Sequence, residues 1–385
     1  MDRRQTHHVY LIPGLFGFAE LAGYDYFGHV ERGLQARFAR AGLSLRPRVI
    51  AAPPTASIAL RTAVIARQIA RDAERSSGPI HLLGHSTGGL DARLLISPGC
   101  NVDVGAAELA WTRRVASLAT IDCPHYGTPL AGYFTTVAGT RMLYALSLLT
   151  VTSLTLGRIP LTAFSGMVAA VEALDDALGL DIHLIDQLTD TLLRFVGERG
   201  RGEIHDYLAH VHGDRGGIIQ LMPEVMELFN AAVHDNPDVR YGCIAAASPP
   251  PGPRRLLRAV TSPLAALQLA VYTTVYGVTS RADARYPYAK PDAEQARLLS
   301  LGLGREVEPE MVDGIVPTLS MLWRELLWCG QADHLDLVGH FADGARPRVH
   351  VDWLDSGARF NRREFGTMLD ALTSFMMRGF LVAGD

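Results

Sequence analysis

The stretch IHLLGHSTGG, residues 80–89, places a serine directly after a short apolar run and between small residues. Residues 80–83 are predicted to form a buried strand, and residues 90–96 continue as a helix. A turn that joins strand to helix this tightly strains the serine backbone and needs small residues two positions before and after it. Gly84 and Gly88 meet that need, so the pattern G-x-S-x-G predicts that Ser86 is a nucleophile.

A second interpretation of Ser86 is that it only caps a helix, since G-x-S-x-G also occurs by chance. The strand before it, the helix after it and the additional Gly89 favour the catalytic interpretation. The helix would also direct its positive end at an oxyanion formed on Ser86. We therefore expect a serine hydrolase of the α/β-hydrolase type that acts on ester bonds.

The pattern of apolar residues predicts alternating strands and helices around this turn. Residues 8–12, 115–121 and 239–246 are apolar runs typical of strands, and residues 57–75 have apolar positions at helical spacing. This alternation indicates a mostly parallel central sheet flanked by helices. The expected fold class is therefore α/β, the α/β-hydrolase fold with a helical cap or lid insertion.

The chain of 385 residues is expected to form a single catalytic domain over 1–385, with insertions at about 126–215 and 249–308. Between residues 126 and 171 the only strong charges are Arg141 and Arg158, and residues 259–280 carry none. The first apolar run is too short for a transmembrane segment, which needs ~20 residues, and the second is rich in Ser and Thr. These stretches are either buried helices or a mobile apolar cap over a site for hydrophobic substrates.

The composition excludes several classes of partner. The net charge of −4 is small for this length, and the strong bases, all arginine except Lys290, are scattered and matched by acids, so no nucleic-acid partner is expected. The four cysteines share no metal-type spacing and are expected to be thiols, or to form one bridge in an exported protein. Residues 1–8 lack the apolar core of a secretory signal, which predicts a cytoplasmic protein or leaderless secretion.

An oxyanion hole needs two backbone N–H groups that point at the developing charge. One is expected from Thr87, the residue after the nucleophile. The loop PGLFG, residues 13–17, follows an early strand, and its Leu15 is the predicted second donor, with Phe16 in reserve. The competing interpretation is an ordinary glycine-rich turn.

The acid and the base are expected to follow the nucleophile in that order along the chain. Asp313, in DGIVP at 313–317, is expected on a loop just past a strand end, and His334 follows it. His334 would accept the Ser86 proton while Asp313 orients the imidazole. The open alternatives are His340 and His350 as bases and Asp122 as acid, while His125 is expected to shape the pocket.

Six segments together resemble the bacterial true-lipase family, the Pseudomonas and Burkholderia type of triacylglycerol lipase. They are PGLFGF (13–18), GHSTGGLDAR (84–93), TIDCPHYGTPLA (120–131), LMPEVMELFNAAVHDNPDVRY (221–241), VDGIVP (312–317) and DHLDLVGHF (333–341). The resemblance implies a triad of Ser86, Asp313 and His334, with Leu15 and Thr87 as oxyanion donors. It also implies a helical lid, which matches the apolar stretch 126–171.

This chain departs from the family pattern at four points. Pro13 stands where the family has histidine, Asp122 replaces a small residue, residues 249–308 have no counterpart, and no leader is visible. Some members hold a structural Ca²⁺ near the base through two aspartates, and Asp336 matches one of these positions. Because a hard cation needs several oxygen ligands, Asp336 is better explained as a solvated or helix-capping residue.

The functional expectation is a lipase or esterase that cleaves hydrophobic acyl esters at a lipid–water interface and requires no cofactor. An acyltransferase or a thioesterase could use the same triad, because the fold does not determine the acceptor. A catalytically silent hydrolase-like binding protein is the alternative from another class. The complete candidate triad argues against this last alternative.

Overall fold

A computed structural model of the chain describes residues 6–15, 20–21, 24–140, 142–143, 146–147, 206, 216–252, 263–283, 286, 288–341, 354 and 356–380. Its central sheet has six strands in the spatial order β4-β1-β5-β6-β7-β8. All five neighbouring pairs are parallel, which confirms the predicted mostly parallel sheet. The strands are β1 (His7–Ile12), β4 (Leu45–Val49), β5 (Ile80–His85), β6 (Val115–Ile121), β7 (Arg240–Ala247) and β8 (Glu325–Gln331), with a short antiparallel pair of β2 (Glu20–Leu21) and β3 (Tyr24–Asp25).

Nine α-helices lie in the described part of the chain, and side-chain caps begin several of them. The Ser57 hydroxyl accepts the N–H of Leu60 at the start of α2, and Asp292 and Asn361 form capping boxes at two later helices. The helices are α1 (Gly28–Arg40), α2 (Ile58–Ala73), α3 (Thr87–Ile96), α4 (Pro129–Phe134), α5 (Gly216–Ile219), α6 (Pro223–Ala232), α7 (Pro263–Thr279), α8 (Ala293–Leu303) and α9 (Arg362–Met377).

Strand β1 shows how the sheet separates two apolar layers. Val9 and Leu11 face the layer that contains α1 and α9, while Tyr10 and Ile12 face the layer that contains α2 and α3. The alternation follows from the two-residue period of a strand. Since all four side chains are fully buried, helices cover the sheet on both faces.

The stretch 249–308 contributes two helices to the packed structure. Val271, Tyr272 and Val275 of α7 are buried in the larger core cluster. Helix α8 packs against β8, where Leu299 and Leu326 share a smaller cluster. This part of the chain therefore contains core helices, as the first of the two interpretations expects. Most of the expected lid, residues 148–205 and 207–215, lies outside the described residues.

None of the helices that the structure describes is long and apolar enough to cross a membrane. The four cysteines are free thiols. Cys123, Cys243 and Cys329 are buried and Cys100 is half-buried, so three of the four are held in the core as small apolar residues.

Two stacked imidazoles lie buried at the start of β1 and β5. His7 Nδ1 is 3.0 Å from His81 Nε2, and His81 Nδ1 is 2.7 Å from the Ser117 hydroxyl. The rings of Phe38 and Phe380 pack against them edge-on. Burial lowers the pKa of His7 from 6.5 to about 4, and burial lowers the pKa of His81 well below its ordinary value. Both imidazoles are therefore neutral at pH 7.

We expect the free energy of unfolding to fall as the pH drops from 6.5 to about 4. In this window the unfolded chain binds protons that folded His7 and His81 do not. Acid therefore favours unfolding by about 2–3 kcal/mol through His7, and His81 acts in the same direction. Urea titrations at pH 7.5 and 4.5 would measure the loss, which should be smaller in His7→Gln. The exposed His234 provides the control, because His234→Gln should keep the wild-type pH dependence. If the free energy of unfolding fell equally from pH 7.5 to 4.5 in wild type, His7→Gln and His234→Gln, His7 would not be a source of the pH dependence.

Candidate active site

Ser86 lies at the junction between β5 and α3 with a left-handed backbone, φ 53° and ψ −130°. Its N–H donates to the carbonyl of Ile121 on the neighbouring strand β6, at 2.8 Å. A non-glycine residue in this conformation stores strain of roughly 1–2 kcal/mol. The sheet therefore holds Ser86 in the sharp turn that the G-x-S-x-G pattern predicts.

The flanking glycines are required by contact distances. A Cβ on Gly84 would lie 2.4 Å from the amide nitrogen of Gly89, and a Cβ on Gly88 would lie 2.1 Å from the Ile12 carbonyl oxygen. Gly14 approaches the serine itself, since its Cβ would be 2.5 Å from Ser86 Cβ. No side chain fits at these positions without movement of the backbone, and the loop after β1 consequently lies directly against Ser86.

The structure brings Ser86, His334 and Asp313 into one hydrogen-bonded row. His334 Nε2 is 3.0 Å from Ser86 Oγ, and His334 Nδ1 is 2.6 Å from Asp313 Oδ2. Asp313 is fully buried and His334 nearly so. With the hydroxyl donating to Nε2 and Nδ1–H donating to the carboxylate, the imidazole is oriented to accept the serine proton.

Asp313 is held in place by its own turn. Its Oδ1 accepts the N–H groups of Ile315 and Val316 at 2.8 and 2.7 Å, which leaves Oδ2 for His334. The expected position just past a strand end is only approximate, because the turn is closed by an isolated bridge between Val312 and Pro317. This turn lies between α8 and β8 along the chain and does not directly follow a strand of the sheet.

The competing histidines occupy other places. His340 is buried with its ring centroid 6.3 Å from that of Tyr26. His125 does not line the pocket beside Ser86. Its ring instead bonds to Thr120 and stacks on Trp323. The other two candidates, His350 and the reserve oxyanion donor Phe16, lie outside the described residues.

Asp122, the alternative acid, lies at the end of β6 beside His334. It is fully buried with φ 46°, and neither of its carboxylate oxygens has a hydrogen-bond partner within the described chain. One of these oxygens lies within 4.8 Å of a ring nitrogen of His334 and of His85. Burial raises the pKa of Asp122 well above its ordinary value, and the nearby Asp313 and Asp333 carboxyls raise it further. These surroundings favour the protonated form of the Asp122 carboxyl.

His85, directly before Ser86, connects the turn between β5 and α3 to His334. Its Nε2 is 2.8 Å from the backbone carbonyl of His334, and its Nδ1 is 2.8 Å from the Tyr26 hydroxyl. Because a carbonyl only accepts, Nε2 carries the proton and Nδ1 accepts from Tyr26. Burial lowers the pKa of His85, so this donor pattern is stable at neutral pH.

The two expected oxyanion donors flank Ser86. Thr87 is the first residue of α3, so its N–H has no partner within the helix. Leu15 follows Gly14 and lines the pocket. Arg61 stabilises the loop that carries Leu15, because its guanidinium donates to the Pro13 carbonyl at 2.7 Å.

Arg61 and Asp91 form an ion pair that the sequence analysis did not identify. Both side chains are fully buried, and their closest N–O distance is 2.8 Å. Burial raises the pKa of Asp91 to about 6 although Arg61 opposes the shift. The available signal is the position of Arg61 on the apolar face of α2, between the buried Ile58 and Ile65, where an unpaired charge would be costly.

Among the described residues, the group that could converge on a metal ion is His85, Asp122 and His334. Both ring nitrogens of each histidine already have partners, so the set suits proton transfer better than metal binding. Asp336 is buried and does not extend into solvent; its Oδ2 accepts the N–H of Asp333, three residues earlier in the chain, at 2.8 Å. The short 3₁₀ helix that begins at Asp336 has no side-chain cap, so neither the solvated nor the capping role expected for Asp336 is seen.

An apolar pocket opens beside Ser86 and His334. Helix α4 lies on one side and the turn that carries Asp313 on another. The polar atoms of Ser86 and His334 therefore face a space that favours a hydrocarbon group. The apolar residues that line it include Leu15, Leu130, Ala131, Phe134, Leu146, Ile218, Leu221, Ile315 and Val316.

Solved structures similar to this chain include bacterial lipases and esterases. Staphylococcus hyicus lipase is 16% identical with a TM-score of 0.50, covering 98% of this chain and 96% of its own. Lipase 1 from Pelosinus fermentans is 14% identical (TM-score 0.49; 93% and 98%), and EstA from Clostridium botulinum is 16% identical (TM-score 0.47; 95% and 88%). No protein-family model and no curated protein sequence matches the chain.

The topology and the likeness to the Staphylococcus hyicus structure establish the α/β-hydrolase fold for this chain. Strand β5, which ends directly before Ser86, lies in the middle of the parallel sheet, with α3 directly after it. At 16% identity the likeness concerns the fold and leaves the reaction to be argued from the site.

Proposed function

We propose that the protein is a serine carboxylic ester hydrolase, of lipase or esterase type, that cleaves hydrophobic acyl esters through an acyl-enzyme on Ser86. The observation that carries the proposal is the row Ser86–His334–Asp313, with spacings of 3.0 and 2.6 Å, at the wall of an apolar pocket. The similar structure from Staphylococcus hyicus is a lipase, which supports the same class of reaction. The resemblance to the Pseudomonas and Burkholderia lipases supports it further.

The first half of the reaction forms the acyl-enzyme. Ser86 Oγ attacks the ester carbonyl carbon while its proton moves to His334 Nε2, and Asp313 stabilises the resulting imidazolium. The N–H groups of Thr87 and Leu15 are the proposed donors to the oxyanion. When the tetrahedral intermediate collapses, the C–O bond to the alcohol breaks and His334 returns the proton to the leaving oxygen.

The second half hydrolyses the acyl-enzyme. Water gives a proton to His334 Nε2 as its oxygen attacks the acyl carbon, and the carboxylic acid leaves as Ser86 recovers its proton. These steps need no cofactor. The acyl chain would lie in the pocket beside Phe134 and Leu146, and we propose that residues 126–215 form a lid over it within a single catalytic domain.

Labelling with a fluorophosphonate probe tests the proposal. We expect one covalent adduct per wild-type chain and none on Ser86→Ala, because only an activated serine attacks phosphorus under these conditions. Intact-mass spectrometry reads the adduct, and thermal melting checks that the variant is folded. An unlabelled wild type would refute the proposal, and equal labelling of both proteins would move the nucleophile elsewhere.

The acyl specificity is tested with p-nitrophenyl esters of increasing chain length. The apolar pocket leads us to expect that kcat/KM rises from acetate to longer acyl chains. A preference for acetate, with no gain on emulsified long-chain esters, would contradict a lipase. Acyl thioesters and competing alcohols in the same assay distinguish thioesterase and acyltransferase activities.

A further inference from the structure

Asp122 has a position that the proposed reaction does not use. It follows the last residue of β6, which pairs with His85 of β5, so it lies one strand away from the nucleophile turn. Its N–H donates to the Ile244 carbonyl on β7 at 3.1 Å. The neighbouring strands thus hold the Asp122 carboxyl at the carboxyl ends of the central strands, beside Ser86 and His334.

The environment of Asp122 is unusual for a buried carboxyl. Neither oxygen has a hydrogen-bond partner within the described chain, although a buried polar group without a partner is destabilising. The backbone at φ 46° is also strained for a residue with a side chain. Two costs at one residue beside the proposed base suggest a role in the chemistry of the site.

The distance to His334 is short enough for charge stabilisation. A carboxylate oxygen of Asp122 comes within 4.8 Å of a ring nitrogen of His334, and an opposite charge within ~4–6 Å favours a protonated imidazole. Within the described chain, the titratable groups around Asp122 are His85, Asp313, Cys329, Asp333 and His334, with Tyr26 further off. No arginine or lysine is among these groups, so His334 is the side chain best placed to become a cation beside Asp122.

We propose that Asp122 is a reserve acid for His334, a positioning residue that stabilises the His334 imidazolium when Asp313 cannot. The inference rests on the proposed function, since an imidazolium forms only if His334 accepts the Ser86 proton. In the intact protein Asp313 provides the charge and Asp122 stays protonated. Replacement of Asp313 by a neutral residue removes one of the charges that raise the pKa of Asp122, while burial continues to raise it. As the pH rises, Asp122 then releases its proton to water, and its carboxylate balances the charge on His334.

The test compares Asp313→Asn with Asp313→Asn/Asp122→Asn. Asparagine at 313 keeps an oxygen for the N–H groups of Ile315 and Val316, and asparagine tolerates the left-handed backbone at 122. We expect Asp313→Asn to retain kcat at least about tenfold above the double variant. Its activity should rise with pH as Asp122 ionises, and the double variant should lose this rise. A purely structural role of Asp122 would not produce such a pH profile.

Several outcomes would overturn the proposal. Equal kcat in Asp313→Asn and the double variant would do so, and so would the same pH profile in both. A double variant with Asp122→Gly, which also suits φ 46°, repeats the comparison if the asparagine variant does not fold. Ester hydrolysis by the wild type that is lost in Ser86→Ala distinguishes the two proposals. If the wild type does not hydrolyse esters, both proposals fail. If it does, equal kcat values in Asp313→Asn and the double variant refute only the reserve acid.

Discussion

Replacement of His334 by alanine is expected to lower kcat for ester hydrolysis by about 10⁴–10⁶-fold. His334 Nε2 is 3.0 Å from Ser86 Oγ and is the base proposed for both halves of the reaction. Without it, the serine must lose its proton to water, and the leaving alcohol has no acid. Since binding does not depend on this proton transfer, KM should change much less than kcat. Steady-state hydrolysis of a p-nitrophenyl ester measures both constants.

The matched control for His334 is His340, which is also buried and lies six positions further along the chain. We expect His340→Ala to reduce kcat by less than about tenfold, because the His340 ring lies beside Tyr26 and does not line the pocket beside Ser86. Melting temperatures of both variants separate loss of catalysis from loss of folding. If folded His340→Ala were as inactive as His334→Ala, the base would need to be reassigned.

Replacement of Arg61 by methionine is expected to destabilise the protein by about 3–5 kcal/mol at pH 7.5, because Asp91 is left buried without its partner. The loss should shrink at lower pH. Burial already raises the pKa of Asp91 to about 6, against 3.8 in the unfolded chain, and removal of Arg61 raises it further. Between these values the folded variant binds a proton that the unfolded chain does not, so acid stabilises the variant relative to neutral pH.

Two further variants sharpen the Arg61 test. Arg67→Met on the same helix removes only half-exposed ion pairs and should cost less than about 1 kcal/mol. Arg61→Met/Asp91→Leu removes both buried charges and should recover most of the stability. Its kcat should nevertheless stay roughly 10–100-fold low, because the Pro13 carbonyl loses its donor and the oxyanion loop shifts. Denaturant titrations that place Arg61→Met within 1 kcal/mol of wild type would contradict the buried pair.

The sequence predicts the interior of the sheet better than its edges. β1, β5, β6 and β7 are continuous apolar runs because they are covered on both faces, and all four are predicted within two residues at either end. The missed strands, β4 and β8, are the two edges of the sheet. Strand β4 alternates between half-buried and exposed residues and contains Pro47, which an edge strand tolerates. Strand β4 therefore carries no apolar run to detect. Strand β8 does contain one, residues 326–329, but it is short and is not predicted as a strand.

In the site, features that depend on nearby residues are predictable from the sequence, and contacts between distant residues are not. Ser86 is predictable because its strain depends on neighbours within a few residues, Gly84 and Gly88. The choice of Asp313 over Asp122 rests on chain order and family resemblance, and both acids prove to lie near His334. The buried contact between Arg61 and Asp91 joins positions thirty residues apart, and no local pattern encodes such a pairing.

The contacts of His85, directly before Ser86, restrict which substitutions this sequence can accept during evolution. His85 holds the backbone of His334 with one nitrogen and receives the Tyr26 hydroxyl with the other. The Tyr26 hydroxyl is the donor to the buried His85 Nδ1, so a substitution that removes this hydroxyl leaves that nitrogen without its partner. Descendants of this sequence that keep His85 should therefore also keep Tyr26, although 59 positions separate the two residues.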